Sequence, residues 1–207
     1  MLNRIRIRRA VLGGMASALA IVALPGAASA ADLTRTCGDQ GARQVFAPFG
    51  DKGYYTAVQD GGFEASGAGW QLDDGATVVD GNESFYLGNA ADSRSLSLPD
   101  GASATSPPTC AGLDTPKFRF ILKGPGSSGT ARLKVEVVYL EVSDKASKTP
   151  GVLAAEPEWA TSPKLSLGLT KIGDTNGDGV GTVAYRFTAV GGDFSVDDVY
   201  TDPRMRR

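Results

Sequence analysis

Beyond residue 30, no stretch of this chain repeats apolar residues every 3.6 positions, whereas alternation with a period of two recurs along its length. Leu133, Val135, Val137 and Tyr139 fall on one face of a run in which Arg132, Lys134 and Glu136 take the other. The same pattern groups Leu96 with Leu98, and Phe118 with Phe120 and Leu122. It also groups Leu165 with Leu167 and Leu169, and Val183 with Tyr185 and Phe187. Between these runs lie Asp60-Gly61-Gly62, Asp80-Gly81-Asn82, Pro99-Asp100-Gly101 and Gly124-Pro125-Gly126, residues that supply the positive or fixed φ of turns. Short alternating strands at this spacing predict an all-β fold, an antiparallel β-sandwich or barrel. The 27 glycines fall at turns between patterned strands, which favours a folded chain over a disordered one. Ser143 to Pro163 carries the weakest pattern and reads as loop, with a short strand at Val152 to Ala154.

The first thirty residues form a separate unit. Arg4, Arg6, Arg8 and Arg9 precede an apolar run from Ala10 to Leu24, and Ala28-Ser29-Ala30 offers small residues for cleavage. This is the layout of a secretory signal peptide cut after Ala30, and the run is short for a membrane span of about 20 apolar residues. The expected product is secreted, extracellular or in the cell envelope. Its layout is a signal at 1–30, an extended arm at 31–54, one domain at 55–203 and a tail at 204–207. The signal holds four of the 21 Lys and Arg and none of the 23 Asp and Glu, leaving a net charge of −6. An acidic chain without a basic stripe argues against nucleic acid as a partner, and nothing in the sequence fixes an oligomeric state. Histidine is absent, which removes Ser-His-Asp and Cys-His chemistry. Two cysteines remain, Cys37 and Cys110. In an exported protein such a pair reads as one disulfide, worth about 4 kcal/mol for a loop of this length; two free thiols are the alternative.

Three segments in order carry a resemblance: Asp60-Gly61-Gly62-Phe63-Glu64 with Gly69-Trp70, then Trp159 ahead of Lys164 to Leu169, then Phe194-Ser195-Val196-Asp197-Asp198-Val199-Tyr200. Over about residues 55–203 the chain resembles the galactose-binding-like jelly roll used by many carbohydrate-binding modules. It is also similar to exported actinobacterial-type proteins, a likeness that brings no function with it. The resemblance implies a jelly-roll β-sandwich, a non-catalytic module and a carbohydrate partner. It implies that Trp70 and Trp159 pack in the core. It further implies a structural Ca²⁺ between Glu64 and Asp197, with Asp198 beside the latter; the alternative is that these acids face solvent.

Asp174-Thr175-Asn176-Gly177-Asp178-Gly179 copies the start of a calcium loop, but its twelfth position is Tyr185, so a hairpin turn is the preferred reading. For a sugar, Tyr54, Tyr55 and Tyr86 are the aromatic candidates, with Phe85 nearby and Asn82, Glu83, Asn89 or Arg94 to hold hydroxyls. The acid pairs Asp73-Asp74 and Asp197-Asp198 are adjacent, which points their side chains apart and disfavours glycoside hydrolysis. The rival to a carbohydrate-binding module is a structural or protein-interaction domain of the envelope.

Overall fold

The computed structural model describes residues 41–112, 117–127, 129–141, 147–167 and 180–202. The signal segment, Cys37, Leu169, the Asp174–Gly179 loop and the tail lie outside them. The described strands are β1 (Thr56–Ala57), β2 (Gln71–Asp73), β3 (Thr77–Asp80), β4 (Arg94–Leu98), β5 (Ser103–Thr105), β6 (Thr109–Gly112) and β7 (Lys117–Lys123). They continue with β8 (Arg132–Tyr139), β9 (Ser147–Leu153), β10 (Ala160–Thr161), β11 (Leu165–Ser166), β12 (Val180–Val190) and β13 (Phe194–Thr201). One antiparallel sheet runs β10-β7-β13-β4-β3, with β1 on β13 and β11 on β7; the other runs β2-β5-β12-β8-β9, with β6 on β12. The result is the expected all-β sandwich. No helix among the described residues is long and apolar enough to cross a membrane.

The period-two faces meet between the sheets. Leu96, Leu98, Phe118, Phe120 and Leu122 from the first sheet pack against Leu133, Val135, Val137, Val183, Tyr185 and Phe187 from the second. Trp70 joins them, its ring 4.9 Å from Phe63 and its Nε1–H donating to the Gln59 carbonyl at 2.9 Å. An indole buried with its one donor satisfied contributes area without leaving an unpaired group. Trp159 departs from expectation: it is half-buried, outside the main core, and packs on the outer face of the first sheet.

That outer face carries a second apolar cluster of Phe46, Tyr55, Ile121 and Tyr200. The arm is therefore part of the fold. Arg43 and Tyr55 exchange backbone hydrogen bonds of 2.8 Å, a short 3-10 turn spans Ala47–Phe49, and Phe46 is fully buried. Asp51 fixes the arm, accepting from Lys164 at 2.8 Å, Tyr55 Oη at 2.7 Å, the Gly53 N–H at 3.0 Å and Arg119 at 3.1 Å. Arg119 also donates twice to the Ser162 carbonyl and stacks over Phe46. Burial pushes the Asp51 pKa up, but these four donors together hold it well below the usual carboxylate range.

The Ser143–Pro163 region contains more strand than its sequence pattern suggests. Ser147–Leu153 forms a full edge strand on β8. An edge strand hydrogen-bonds on one side and buries little, so Ser-Lys-Thr-Pro-Gly shows no apolar alternation.

Candidate functional site

The candidate site is built where β13 breaks its own alternation. Val196 and Val199 both enter the core although three residues apart, and the register against β7 shifts between Asp197 and Tyr200. Asp198 absorbs the extra residue at φ 49°, in the left-handed region that only a few non-glycine residues adopt. The two acids consequently leave the bulge in different directions. Asp197 accepts from the Glu83 N–H at 3.0 Å and from the Asp198 N–H at 2.8 Å, so both of its oxygens are engaged. Asp198 turns into a cleft of about 240 Å³ shared with Arg43, Asp60, Glu64, Asp92 and Tyr200.

Asp198 Oδ2 is buried and has no hydrogen-bond partner. No Lys or Arg forms an ion pair with Asp197, Asp198 or Glu83 among the described residues. Arg43 sits exposed on the rim and reaches toward Tyr200. Burial, and then repulsion from Asp198 and Glu83, pushes Asp197 up to about 8. Burial followed by the Glu83 carboxylate pushes Asp198 up as well. Asp92 is raised by burial and by Glu64 and Glu83. Gly88 passes close to these acids: a Cβ on it would come within 2.5 Å of Asp92 Oδ2 and 3.1 Å of Asp198 Oδ1.

The structure brings Glu64 and Asp198 to the lining of one cleft, while Asp197, expected beside them, lies outside that lining with both oxygens engaged. Glu64 is further committed, its Oε1 accepting from the Ser93 and Arg94 N–H groups at 2.8 Å each. Among the described residues no group of three or more acidic side chains is placed to hold a metal ion. The acidic groups lining the cleft offer oxygen donors of the kind a hard cation takes, with Asp198 Oδ2 left without a partner and Arg43 as the one basic residue of the lining. The sequence did contain the signal that separates the two acids, since the Val196-x-x-Val199 spacing departs from period two.

The aromatic candidates divide. Tyr55 is buried with its hydroxyl on Asp51, so it belongs to the arm's packing and is closed to a ligand. Tyr54 and Tyr86 are each 53% exposed and Phe85 is 41% exposed. Glu83, a candidate for sugar hydroxyls, is instead buried and structural. Its Oε1 accepts from the Leu87 N–H at 2.7 Å and its Oε2 from the Phe85 N–H, while its own N–H is held by Asp197. This internal cap shapes the 83–88 turn and lifts Tyr86 outward at φ 53°. The Phe85 ring meets Phe49 of the arm edge-on at 4.9 Å. Among the described residues the strands of the second sheet carry no exposed aromatic side chain. Its outward-facing row Gln71, Thr105, Arg186 and Glu136 is polar, and the neighbouring rows add Ala184 beside Val138 and Lys134 beside the exposed Val152. Among the described residues no cysteine is free, and Cys110 lies on β6; its expected partner Cys37 lies outside the described residues.

Among solved structures the chain is similar to endo-1,4-β-D-xylanase 10B of Clostridium thermocellum, in a form containing a CBM22-1 and a GH10 module complexed with xylohexaose. Identity is 18%, the match covers 75% of this chain and 29% of that one, and the TM-score is 0.49. The chain therefore spans less than a third of that protein's length. It is similar to the xylan-binding module CBM15 at 15% identity, 75% and 99% coverage and TM-score 0.43. It is also similar to TmCBM61 in complex with β-1,4-galactotriose at 14% identity, 72% and 98% coverage and TM-score 0.42. No protein-family model and no curated protein matches the chain.

Proposed function

We propose that the protein is an exported, non-catalytic β-sandwich that binds a saccharide on the aromatic tip formed by Phe85 and Tyr86. The observation that carries this reading is the Glu83 cap. A buried carboxylate accepting two N–H groups of one turn, and itself anchored to Asp197, holds two exposed aromatic side chains in a fixed backbone before any ligand arrives. Pre-organisation lowers the ordering cost of binding, and a ring with an apolar face and a hydroxyl suits a pyranose. The saccharide class itself is the one the sequence resemblance implies. Tyr54, exposed on the arm, is a further candidate contact.

A structural Ca²⁺ belongs to the same proposal. Asp198 would hold it through Oδ2, with Glu64 and Asp92 in the same cleft and Asp197 supporting from behind. The ion would supply the positive charge that the buried acids lack. Asp197 connects the two halves, since it anchors Glu83 on one side and precedes Asp198 on the other.

A glycan-array screen in calcium, with calorimetry on the hits, tests the reading. A saccharide should bind, and Tyr86→Ala should weaken it about tenfold or more, the order of one aromatic contact. A screen with no binder at millimolar levels would contradict it and favour the rival, an envelope domain that contacts another protein.

A further inference from the structure

A second cleft lies on the same outer face of the first sheet, beyond the reach of the arm. Strand register sets Thr77 beside Ser97, Ser97 beside Ser195 and Ser195 beside Lys123. Their neighbours Leu96, Leu98, Phe194, Val196 and Leu122 enter the core, so this row of hydroxyls and one ammonium faces outward. A cleft of about 300 Å³ opens over Ser97, Ser195 and Lys123, walled by Pro125, Pro157 and Asp193. Gly124 also lines it and packs on the buried Phe194 ring, which a Cβ there would approach within 2.7 Å.

The polar groups here are placed and keep hydrogen-bonding capacity to spare among the described residues. Lys123 Nζ sits 4.7 Å from the centre of the Trp159 ring, which fixes a flexible side chain without using its hydrogen-bond donors. Lys123 forms no ion pair among the described residues, although Asp193 lines the same cleft. Asp193 accepts the Asp100 N–H through Oδ1 at 2.9 Å. The cleft therefore offers an ammonium, a carboxylate and hydroxyls of both donor and acceptor character beside two proline faces.

We infer that this cleft is a saccharide subsite distinct from the Phe85–Tyr86 tip, taking a single neutral pyranose unit. A sugar hydroxyl both donates and accepts, so neighbouring hydroxyls bridge Lys123 and Asp193, whereas an anion is repelled by Asp193 and a cation by Lys123. The ring's C–H face meets Pro125 and Pro157, and the volume is at the lower end for small-molecule sites, the size of one sugar. The ligand class rests on the saccharide reading above; the location does not.

Backbone amide NMR of the exported protein, titrated with glucose, galactose, xylose and glucuronate, tests this. One neutral sugar should shift the Ser97, Lys123 and Ser195 amides and alter Trp159 emission. Lys123→Met and Asp193→Asn should each weaken that response at least tenfold, Lys123→Arg should keep part of it, and Tyr86→Ala should leave it unchanged. Asp193→Asn retains an oxygen for the Asp100 N–H, so it reports on the cleft with the fold intact. Shifts confined to residues 83–88 would overturn the subsite while leaving the aromatic tip standing. Shifts at neither place would overturn both, and a stronger response to glucuronate than to every neutral sugar would overturn the ligand class.

Discussion

Asp51 and Asp198 are both buried carboxylates held against the same sheet, and they are treated in opposite ways. Asp51 meets Arg119 and Lys164, a tyrosine hydroxyl and a backbone N–H, and its pKa falls. Asp198 meets Glu83, Asp92 and Asp197, keeps one oxygen without a partner, and its pKa rises. The first is a closed structural joint between arm and sheet. The second is an open charge imbalance held by a strained residue in a bulge, and such strain persists only where the surroundings over-determine it. The contrast explains why the arm needs nothing further while the cleft is a candidate for a cation.

The largest effect is expected at the closed joint. Arg119→Met leaves Asp51 buried with only the partly exposed Lys164 as counter-charge, and should cost about 3 to 5 kcal/mol in urea denaturation. A loss below about 1 kcal/mol would mean the arm is not held by this pair. The Cys37–Cys110 bridge proposed from the sequence should contribute about 4 kcal/mol by the chain-entropy model. Intact mass with and without reduction before alkylation checks it, and two alkylatable thiols in unreduced protein would exclude it.

At the open cleft the sign reverses. In calcium-free protein near pH 8, Asp198→Asn should stabilise by about 1 to 2 kcal/mol, because it removes a buried charge and Asn tolerates positive φ. Destabilisation under those conditions would show that the native state already compensates the Asp198 charge. The smallest stability effect belongs to Tyr86→Ala, within about 0.5 kcal/mol for an exposed side chain, with loss of saccharide binding as its only large consequence. A much larger stability loss would make Tyr86 a structural residue.

The sandwich was legible because its strands are buried on one face: Leu133 to Tyr139 and Val183 to Phe187 alternate as the register requires. The arm was not, because Phe46 and Asp51 find Ile121 and Arg119 far along the chain, and such pairings leave no local pattern. Trp159 illustrates the same limit, since a tryptophan before a strand packs equally well on either face of a sheet. At the site, the acids were visible in the sequence but their directions were not. Asp197 occupies the position expected of a ligand, yet one bulge turns it toward Glu83 and sends Asp198 into the cleft. Glu83 looked like a surface acid and serves as a buried cap because the 83–88 turn folds around it.

The contrast between the two carboxylates is tested most directly by thermal melting of the wild-type protein at several pH values, in a chelator and in calcium. The raised pKa values of Asp197 and Asp198 mean that the folded state holds protons the unfolded state has released. Their stabilising contribution is therefore full below about pH 4 and lost as pH rises toward about 8. Asp51 works the other way, losing its contribution as pH falls below the usual carboxylate range. In chelator, the melting temperature should thus fall between about pH 5 and 8. Calcium should restore it, by about 2.7 kcal/mol at a hundredfold excess over Kd, and more at pH 8 than at pH 5. A melting temperature that the chelator leaves unmoved at pH 8 would contradict the account.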